Sequence, residues 1–321
     1  MKRRSVCIAL AAAACAAGGP ALGAYPERPI RVIVPFSPGG TSDFVGRLVG
    51  QGLTEQLGQQ LVVDNRGGAG SALGTKLMAD ANPDGYTLIV NNIGLAVNET
   101  LRSDRAYVAL RDLAPISLVG FTPSVLVVNR DAPFKSVSEL VSAAKTQPGK
   151  LSFGTAGAGS STHLSMAYFL SIAKVKMLHV PYKGGGPAVR AMIAGEVQAV
   201  MTPIPTAFGH IQGGRLRALA VSGSKRSSAL PNLPTVSEAG VPGYEFATWY
   251  GLLTRAGTSN AVIARLNEAT RKALNNPDLR KKLQTAGLDP EPTTPEGFGK
   301  LIRSEIAKWR KVIDDAGITK R

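Results

Sequence analysis

The sequence predicts an α/β fold made of two domains with a ligand cleft between them. Short runs of Val, Ile and Leu alternate with amphipathic segments from residue 30 onward, which is typical of parallel sheets flanked by helices. The length of 321 residues suits two domains, and the hydrophobic fraction of 44% is enough to bury a core and excludes a disordered chain. Internal repeats of the length found in solenoid proteins are absent from the sequence.

The first 24 residues have the three-part layout of a bacterial secretory signal peptide. Lys2, Arg3 and Arg4 form a basic start, an apolar run covers residues 6–17, and small residues at 21–24 offer a cleavage site. The apolar run is too short to span a bilayer. We therefore predict residues 1–24 to be a signal peptide, cleavage near residue 24 and a periplasmic location.

Both cysteines of the chain lie in this predicted leader. Cys15 lacks the large apolar residue that usually precedes a lipoprotein cysteine, so we do not expect a lipid anchor there. The mature chain would contain no thiol, which excludes disulfides, thiolate catalysis and cysteine-ligated metals. No later stretch approaches 18 consecutive apolar residues, so a soluble product is expected.

The first part of the mature chain alternates three predicted strands with two predicted helices. The strands lie at residues 30–34, 61–64 and 86–91, where β-branched and other apolar residues form short runs. The helices lie between them, at residues 41–57 and 71–79, where the apolar residues follow helical spacing.

The middle of the chain continues this alternation. Ser136 and Glu139 have the spacing of a capping box, and Pro148 ends the helix that this box begins. Five strands are predicted here, at residues 124–129, 151–153, 177–180, 198–203 and 216–221.

The last part of the chain brings it back to the first domain. Residues 222–244 are rich in Pro, Gly and Ser, which predicts an irregular connection. A strand is predicted at residues 248–254. The tail consists of amphipathic helices that would pack on the first domain. The predicted first domain therefore holds residues 25–123 and 228–321, and the predicted second domain holds residues 124–227. Two crossings between domains imply a hinge and a cleft, where ligands usually bind.

A glycine-rich loop at residues 35–43 joins the first predicted strand to the first helix. Gly39 and Gly40 permit close approach of a ligand to the backbone, and Thr41 or Ser42 begins the helix. Free N–H groups at the positive end of a helix suit an anion. An ordinary strand-to-helix turn with Asp43 as a capping residue is the alternative interpretation.

Two further loops have a related composition. Residues 154–163 contain three glycines and three hydroxyl residues before a helix, and the two loops together could hold opposite ends of one anionic ligand. His163 at the end of this loop is interpreted as a helix-surface residue rather than a catalytic base. In the third loop, Tyr182 and Lys183 precede glycines and could add specificity at the rim of the cleft, or the loop could be a solvated turn.

Several function classes are excluded by missing patterns. The glycines at residues 68–74 lack the acidic residue that a dinucleotide site requires, and Lys183 does not stand in the order of a phosphate-binding loop. A nucleophile elbow and a His-Glu-x-x-His motif are absent, and the three histidines are scattered. The net charge of +15, or +12 without the three cations of the leader, is spread over late helices and no nucleic-acid module is present. We therefore predict no catalytic residue, no cofactor, no metal and no nucleic acid.

Short motifs follow one another along the whole mature chain. Residues 25–30 read Tyr-Pro-Glu-Arg-Pro-Ile, residues 65–70 read Asn-Arg-Gly-Gly-Ala-Gly, and residues 83–88 read Pro-Asp-Gly-Tyr-Thr-Leu. Further motifs are Val34-Pro35-Phe36 with Gly39, Gly40 and Asp43, residues 154–161 with His163, residues 179–184, residues 233–235, residues 238–240, and Trp249 with Gly251. In order and spacing these motifs resemble the substrate-binding receptors of tripartite tricarboxylate transporters, also called Bug-type receptors.

The resemblance implies a two-domain periplasmic-binding-protein fold of the Venus-flytrap kind, similar to type II, and a ligand carboxylate held by the two glycine-rich loops. Carried over residue by residue, it implies a ligand site of Phe36, Gly39, Gly40, Thr41 and Asp43 from the first loop, Thr155, Ala158, Gly159, Ser160 and Ser161 from the second, and Tyr182 and Lys183 from the third.

The resemblance also implies a function outside the cytoplasm. The chain would capture a small organic carboxylate, such as a di- or tricarboxylate, an acidic amino acid or an aromatic acid, for partner permease subunits in the membrane. Two alternatives remain open at this point: a secreted sensory module that binds a carboxylate without a permease of its own, and a secreted α/β enzyme that acts on an organic acid.

Overall fold

The computed structural model describes residues 25–102 and 106–315, and the predicted signal peptide lies outside these ranges. The strands in them are β1 (Ile30–Val34), β2 (Leu61–Asn65), β3 (Thr87–Asn92), β4 (Leu113–Asn129), β5 (Ser152–Thr155), β6 (Leu178–Pro181), β7 (Ala199–Pro203), β8 (Leu216–Val221), β9 (Ala247–Arg255) and β10 (Asp289–Pro290). The α-helices are α1 (Thr41–Leu57), α2 (Ala72–Ala79), α3 (Gly94–Leu101), α4 (Ala109–Asp112), α5 (Val137–Thr146), α6 (Ser161–Ala173), α7 (Gly185–Ile193), α8 (Ile204–Gln212), α9 (Asn260–Asn275), α10 (Pro277–Thr285) and α11 (Pro295–Asp315).

The strands form two sheets that share the long strand β4. Strands β2, β1, β3 and β9 lie side by side in that order and β9 pairs with residues 113–123 of β4, while residues 124–129 of β4 pair with β7 and β8. Strands β5 and β6 continue the second sheet beyond β7. The predicted two-domain α/β architecture is confirmed: each sheet carries its own helices and a buried apolar cluster of its own, and a third buried cluster, which includes Trp249 of the first domain and Met201 of the second, joins them.

The sheets are mixed rather than parallel, which corrects the sequence-based expectation. Strands β1, β2 and β3 run parallel, as do β5, β6 and β7, but β9 is antiparallel to β3 and to β4, and β4 is antiparallel to β7. The reason is the two crossings: β4 carries the chain out of the first domain and β9 begins where the chain returns, so these two neighbours run in opposite directions.

Ser222 ties the crossing segments together at the hinge. Its hydroxyl accepts a hydrogen bond from the Ser124 N–H at 2.6 Å and donates to the carbonyl of Phe246 at 2.5 Å. Backbone bonds join the same three residues, at 2.8 Å from Ser222 to Ser124 and 2.7 Å from Phe246 to Ser222. Since Ser222 is fully buried, the crossing strands are held together at one polar point.

The irregular connection after β8 packs on the second domain for most of its length. The Val236 N–H donates to the Val221 carbonyl at 2.8 Å, and the Tyr244 hydroxyl donates to the Ser165 carbonyl in α6 at 2.9 Å. The domain boundaries at 123/124 and 227/228 remain predictions, and from these contacts we propose that the chain returns to the first domain at Ala247 rather than at residue 228.

The helical tail packs on the first domain, as its apolar faces predict. Helix α9 lies so close to α1 that a Cβ atom on Gly52 would stand 3.0 Å from the Cβ of Ala273. In α11, Phe298 packs edge-on against Trp249 with ring centroids 5.4 Å apart, and Gly251 leaves the room that Phe298 occupies. No helix within residues 25–102 and 106–315 combines the length and the apolar character needed to cross a membrane.

Candidate ligand site between the domains

A small cavity of about 20 Å³ lies between the two domains, at the ends of strands from both sheets. Its walls come from the loops after β1 and β5, from the ends of β3 and β7, from β9 and from the first turns of α7 and α8. The lining residues are Phe36, Gly40, Thr41, Ser42, Asn92 and Tyr250 of the first domain and Ala156, Ser161, Thr162, Gly185, Thr202, Pro203 and Thr206 of the second. None of these side chains carries a charge; we call this space the central cavity.

Four helices begin at the central cavity. Helices α1, α6, α7 and α8 start at Thr41, Ser161, Gly185 and Ile204, each at or next to a lining residue. The first N–H groups of a helix have no partner within the helix, and the helix dipole places about half a positive charge there. The central cavity is therefore suited to an anion although no cationic side chain lines it.

The loop after β1 is shaped by the carboxylate of Asp43. One oxygen accepts a hydrogen bond from the Gly39 N–H at 3.1 Å, and the other accepts from the Asn65 amide at 3.1 Å and pairs with Arg47 at 3.0 Å. Burial raises the pKa of Asp43, but the hydrogen bonds from Arg47, Gly39 and Asn65 outweigh this, so the pKa lies below its usual value. The Asp43 carboxylate is thus committed to the loop and does not line the central cavity.

The two domains touch directly across the central cavity. The hydroxyls of Thr41 and Thr206 are 2.7 Å apart, and the Thr41 N–H donates to the Thr206 hydroxyl at 2.9 Å. Nearby, the Ser37 N–H donates to the Lys183 carbonyl at 3.0 Å. Because Thr41 and Ser37 belong to the first domain and Thr206 and Lys183 to the second, the structure has the closed arrangement.

The loop after β5 uses part of its hydroxyl groups to hold its own shape. The Ser160 hydroxyl caps α6 by accepting from the His163 N–H at 3.3 Å, and it donates to the Gly157 carbonyl at 2.6 Å. The Thr155 hydroxyl accepts from the Gly157 N–H at 3.2 Å and contacts Nε2 of His179 at 2.6 Å. Ser161, in contrast, lines the central cavity.

Thr202 and Tyr250 were not singled out by the sequence. Thr202 is the last residue but one of β7 and is fully buried, and its hydroxyl has no hydrogen-bond partner among the described residues. Burial raises the pKa of Tyr250 well above its usual value, although hydrogen bonds with Thr41, Asn92 and Ser42 act in the opposite direction, so the phenol stays protonated. Both are hydroxyl groups inside apolar strands, and only the strand order brings them to the central cavity.

A second cavity, of about 270 Å³, lies on the other side of the loop after β5. Its lining residues are Ala69, Asn98, Leu101 and Arg102 of the first domain and Gly157, Ala158, Gly159, His163, Pro181, Tyr182 and Lys183 of the second. We call it the rim cavity; it shares no lining residue with the central cavity.

The twelve residues predicted from the resemblance fall into three groups. Phe36, Gly40, Thr41 and Ser161 line the central cavity, whereas Ala158, Gly159, Tyr182 and Lys183 line the rim cavity. Gly39, Asp43, Thr155 and Ser160 line neither and hold the shapes of the two loops. Their assignment to a ligand remains a prediction.

Comparison with known proteins places the chain in a family. The sequence model of the tripartite tricarboxylate transporter family receptor matches residues 45–318. A Pseudomonas sp. (strain P51) protein, described as the UPF0065 protein in the tcbD-tcbE intergenic region, is 40% identical over 95% of this chain and 91% of its own length. Protein BugT of Bordetella pertussis is 37% identical over 91% of this chain and 90% of its own length.

Solved structures agree in fold. The R. palustris protein Rpa4515, solved with adipate, superposes with a TM-score of 0.89 at 34% identity and covers 92% of this chain and 99% of that one. MatC from Rhodopseudomonas palustris, solved with bound malate, superposes with a TM-score of 0.86 at 33% identity and covers 90% of this chain and 100% of that one. This chain belongs to the tripartite tricarboxylate transporter receptor family, a family of Bug-type periplasmic solute-binding receptors.

Proposed function

We propose that this chain captures a small organic carboxylate in the central cavity and delivers it to permease subunits of a tripartite tricarboxylate transporter. The observation that carries the proposal is the meeting of four helix N-termini in a cavity without charged side chains. Such a cavity stabilises an anion by backbone N–H groups and hydroxyls. The related proteins solved with adipate and with malate support a dicarboxylate as the ligand class.

The available hydrogen bonds are sufficient for tight capture. A hydrogen bond to a charged group contributes about 1.5–3 kcal/mol, and a micromolar dissociation constant requires about 8 kcal/mol in total. Ser161, Thr202 and Tyr250 offer hydroxyl donors in addition to the helix ends. A few such bonds therefore suffice without an arginine, and the net positive charge of the chain would favour the approach of an anion.

A ligand panel tests the proposal. Mature protein is heated with di- and tricarboxylates, acidic amino acids and aromatic acids, and its melting temperature is measured. A ligand at a hundredfold excess over its dissociation constant stabilises by about 2.7 kcal/mol, which raises the melting temperature by about 2–4 °C per kcal/mol in a protein of this size. At least one acid is expected to do so, and mass spectrometry should recover it unchanged.

The matching ester and amide are the controls. They keep the shape of the acid but remove the charge that the helix ends attract, so we expect them to leave the melting temperature unchanged. A neutral sugar as the best ligand would contradict the carboxylate assignment. Conversion of the acid during incubation would contradict a receptor that only binds.

A further inference from the structure

A groove of about 530 Å³ lies at the far end of the second domain, between the end of β4, the starts of β5 and β7, and α5. Strands β5 and β7 run parallel to each other toward the central cavity, so their starts are at the opposite end of the domain from the cleft. We call this space the distal groove.

We propose that the distal groove is a docking surface for an acidic segment of a partner protein. The segment would place an apolar side chain in the groove and its carboxylates against lysines at the border. The proposal concerns a surface outside the cleft and does not depend on the ligand held in the central cavity.

The inside of the distal groove is mainly apolar. Its apolar lining residues are Ala132, Pro133, Phe134, Ala143, Leu151 and Val197. Phe134 and Val197 are only 6% and 1% exposed and belong to the buried clusters of the protein, so they form a recessed floor. An apolar side chain placed on this floor would lose its contact with water, which favours binding.

The wall of the distal groove is held in place by hydrogen bonds. The Arg217 guanidinium of β8 donates to the carbonyls of Ala132 at 2.9 Å and of Phe134 at 3.2 Å. At the end of β4, the Asn129 amide donates to the carbonyl of Ile193 in α7 at 2.9 Å. The groove is therefore formed before a partner arrives, and little ordering of the protein opposes binding.

Lysines lie at the border of the distal groove. Lys150 lines it, and Lys176 lies beside it, because the Gly149 N–H donates to the Lys176 carbonyl at 3.0 Å. Both lysines are exposed, and neither forms an ion pair within the described residues. Lys145 and Lys174 lie at the ends of α5 and α6, where a cation also stabilises the C-terminus of a helix. Lys150 and Lys176 lie outside the helices, so this role does not explain them.

The acidic residues near the distal groove leave this positive charge in place. Asp131 lines the groove, but Arg130 lies 3.8 Å from its carboxylate and balances its charge. The Glu196 carboxylate accepts a hydrogen bond from the Tyr182 hydroxyl at 3.2 Å. The border therefore favours a partner that carries carboxylates.

Two other occupants fit these features less well. A second copy of this chain would bring the surface of a molecule with a net charge of +15, so electrostatic repulsion opposes it. A bilayer with anionic lipids would attract the lysines, but a flat surface cannot fill a groove whose apolar side chains are recessed. A protein segment can match both the charge and the concave shape.

A library of displayed random heptapeptides, selected on the mature protein, tests the proposal. The enriched peptides are synthesised with a fluorescent label, and their affinities are measured by fluorescence polarisation. We expect them to combine Asp and Glu with at least one Leu, Ile or Phe. Their affinity should fall when the salt concentration rises from about 0.01 M to about 0.15 M, because the screening length falls from about 30 Å to about 8 Å.

A pair of double variants tests the lysines. Lys150→Gln combined with Lys176→Gln should weaken the binding of an enriched peptide about tenfold, since two exposed charges are lost. Lys281→Gln combined with Lys300→Gln removes two exposed charges from the first domain and should leave the affinity unchanged.

A second pair of variants tests the groove itself. Ala143→Leu would fill the distal groove from α5 and should also weaken the peptide about tenfold. Ser142→Leu adds the same side chain at the neighbouring exposed position, which does not line the groove, and should not. Leucine is a good helix former, so both variants should keep the fold, which circular dichroism checks.

Four results would overturn the proposal. These are the absence of enriched peptides, the enrichment of basic or uncharged peptides, an affinity that the lysine variant leaves unchanged, and an affinity that Ala143→Leu leaves unchanged. Vesicles of phosphatidylglycerol are the second probe. If the protein sediments with them through Lys150 and Lys176 while no peptide is enriched, the surface binds a membrane rather than a protein.

Discussion

Thr202 lies next to the end of β7, and its hydroxyl is buried at the wall of the central cavity without a partner among the described residues. Thr202→Val keeps the shape and removes this donor, so we expect carboxylate affinity to fall by about 1.5–3 kcal/mol, which is about ten- to a hundredfold. The stability of the ligand-free protein should not decrease, because no existing bond is lost. Calorimetric titration beside thermal unfolding measures both quantities. Thr202→Ser is the control and should bind nearly as the wild type does; equal affinity in Thr202→Val would mean that the hydroxyl does not face the ligand.

Asp43 is expected to stabilise the folded protein through the charge of its carboxylate. Because its pKa is lowered in the folded protein, its stabilisation is present above the pKa of the unfolded chain, near 3.9, and is lost as the pH falls through the folded pKa. Asp43→Asn should therefore cost about 1 kcal/mol at neutral pH, since Arg47 is more than half exposed and the ion pair is partly screened. Urea unfolding at several pH values should show this difference closing below about pH 4.

A matched variant separates this effect from the loss of any acid. Asp80→Asn removes a carboxylate that also pairs with a basic residue one helical turn away, but the Asp80 side chain is 55% exposed whereas that of Asp43 is 10% exposed. We expect Asp80→Asn to change stability little at any pH. If Asp43→Asn showed a loss that was constant with pH, the carboxylate would not be the stabilising group.

Helix α7 illustrates how an element can serve closure rather than stability. Gly186 lies in its first turn, and a Cβ atom there would stand 2.8 Å from the Pro38 carbonyl oxygen of the first domain. Gly186→Ala should therefore hinder closure and weaken carboxylate binding by at least about tenfold, while the helix itself gains up to about 1 kcal/mol from the better helix former. Titration and denaturant unfolding would show lower affinity with unchanged or higher stability.

The control for this prediction is a glycine with free space around it. Gly209 lies inside α8 and a Cβ atom there would meet nothing within 4 Å, so Gly209→Ala should stabilise the helix without affecting the ligand. Wild-type affinity in Gly186→Ala would show that the domains can close around the extra methyl group.

Regular elements were predictable where local pattern alone decides them. The capping box at the start of α5 is present, with the Glu139 N–H donating to the Ser136 hydroxyl at 3.1 Å and the Glu139 carboxylate accepting from the Lys135 N–H at 2.6 Å. Helix α3 was missed, because it is buried on most sides and lacks an amphipathic period. The first half of β4 was missed as well, since Pro115 and Gly120 interrupt its apolar run at two bulges.

The candidate site likewise contains residues that local sequence could reveal and residues that it could not. The loops after β1 and β5 were recognisable because their glycines and hydroxyls are contiguous, whereas Thr202 and Tyr250 reach the central cavity only through the order of strands in two sheets. The two glycines of the first loop also differ: Gly39 has a φ of +86° and needs the freedom of glycine, while Gly40 is extended and is restricted by the start of α7, which a Cβ there would contact at 3.5 Å. That second reason is a contact between domains, which local sequence does not reveal.

At the scale of the whole molecule, the hydrogen bonds that join the two domains within the described residues lie at two places, the hinge and the closed cleft. Ser222 joins the crossing strands at the hinge, and the Thr41–Thr206 pair joins the domains at the central cavity. These hydrogen bonds act together with the close backbone contacts at glycines and with a buried apolar cluster that contains residues of both domains. Each hydrogen bond contributes only about 0.5–1.5 kcal/mol, so the closed and open arrangements are expected to be close enough in free energy for a bound anion to decide between them.

A disulfide across the central cavity tests this view of closure. The Thr41 and Thr206 hydroxyls are hydrogen-bonded at 2.7 Å, so the two side chains point at each other across the cleft, and we expect cysteines at both positions to cross-link on oxidation. The chain supplies no competing thiol beyond Cys7 and Cys15 of the predicted leader.

When it is oxidised without ligand, the double variant should no longer take up the carboxylate that the wild type binds. When it is oxidised with ligand, it should retain the ligand through dialysis, and reduction should reverse both effects. The single variant Thr206→Cys, treated in the same way, separates the cross-link from the loss of the hydroxyl. Free exchange of ligand in the fully cross-linked protein would mean that the ligand enters without opening of the domains, and that closure at Thr41 and Thr206 does not control binding.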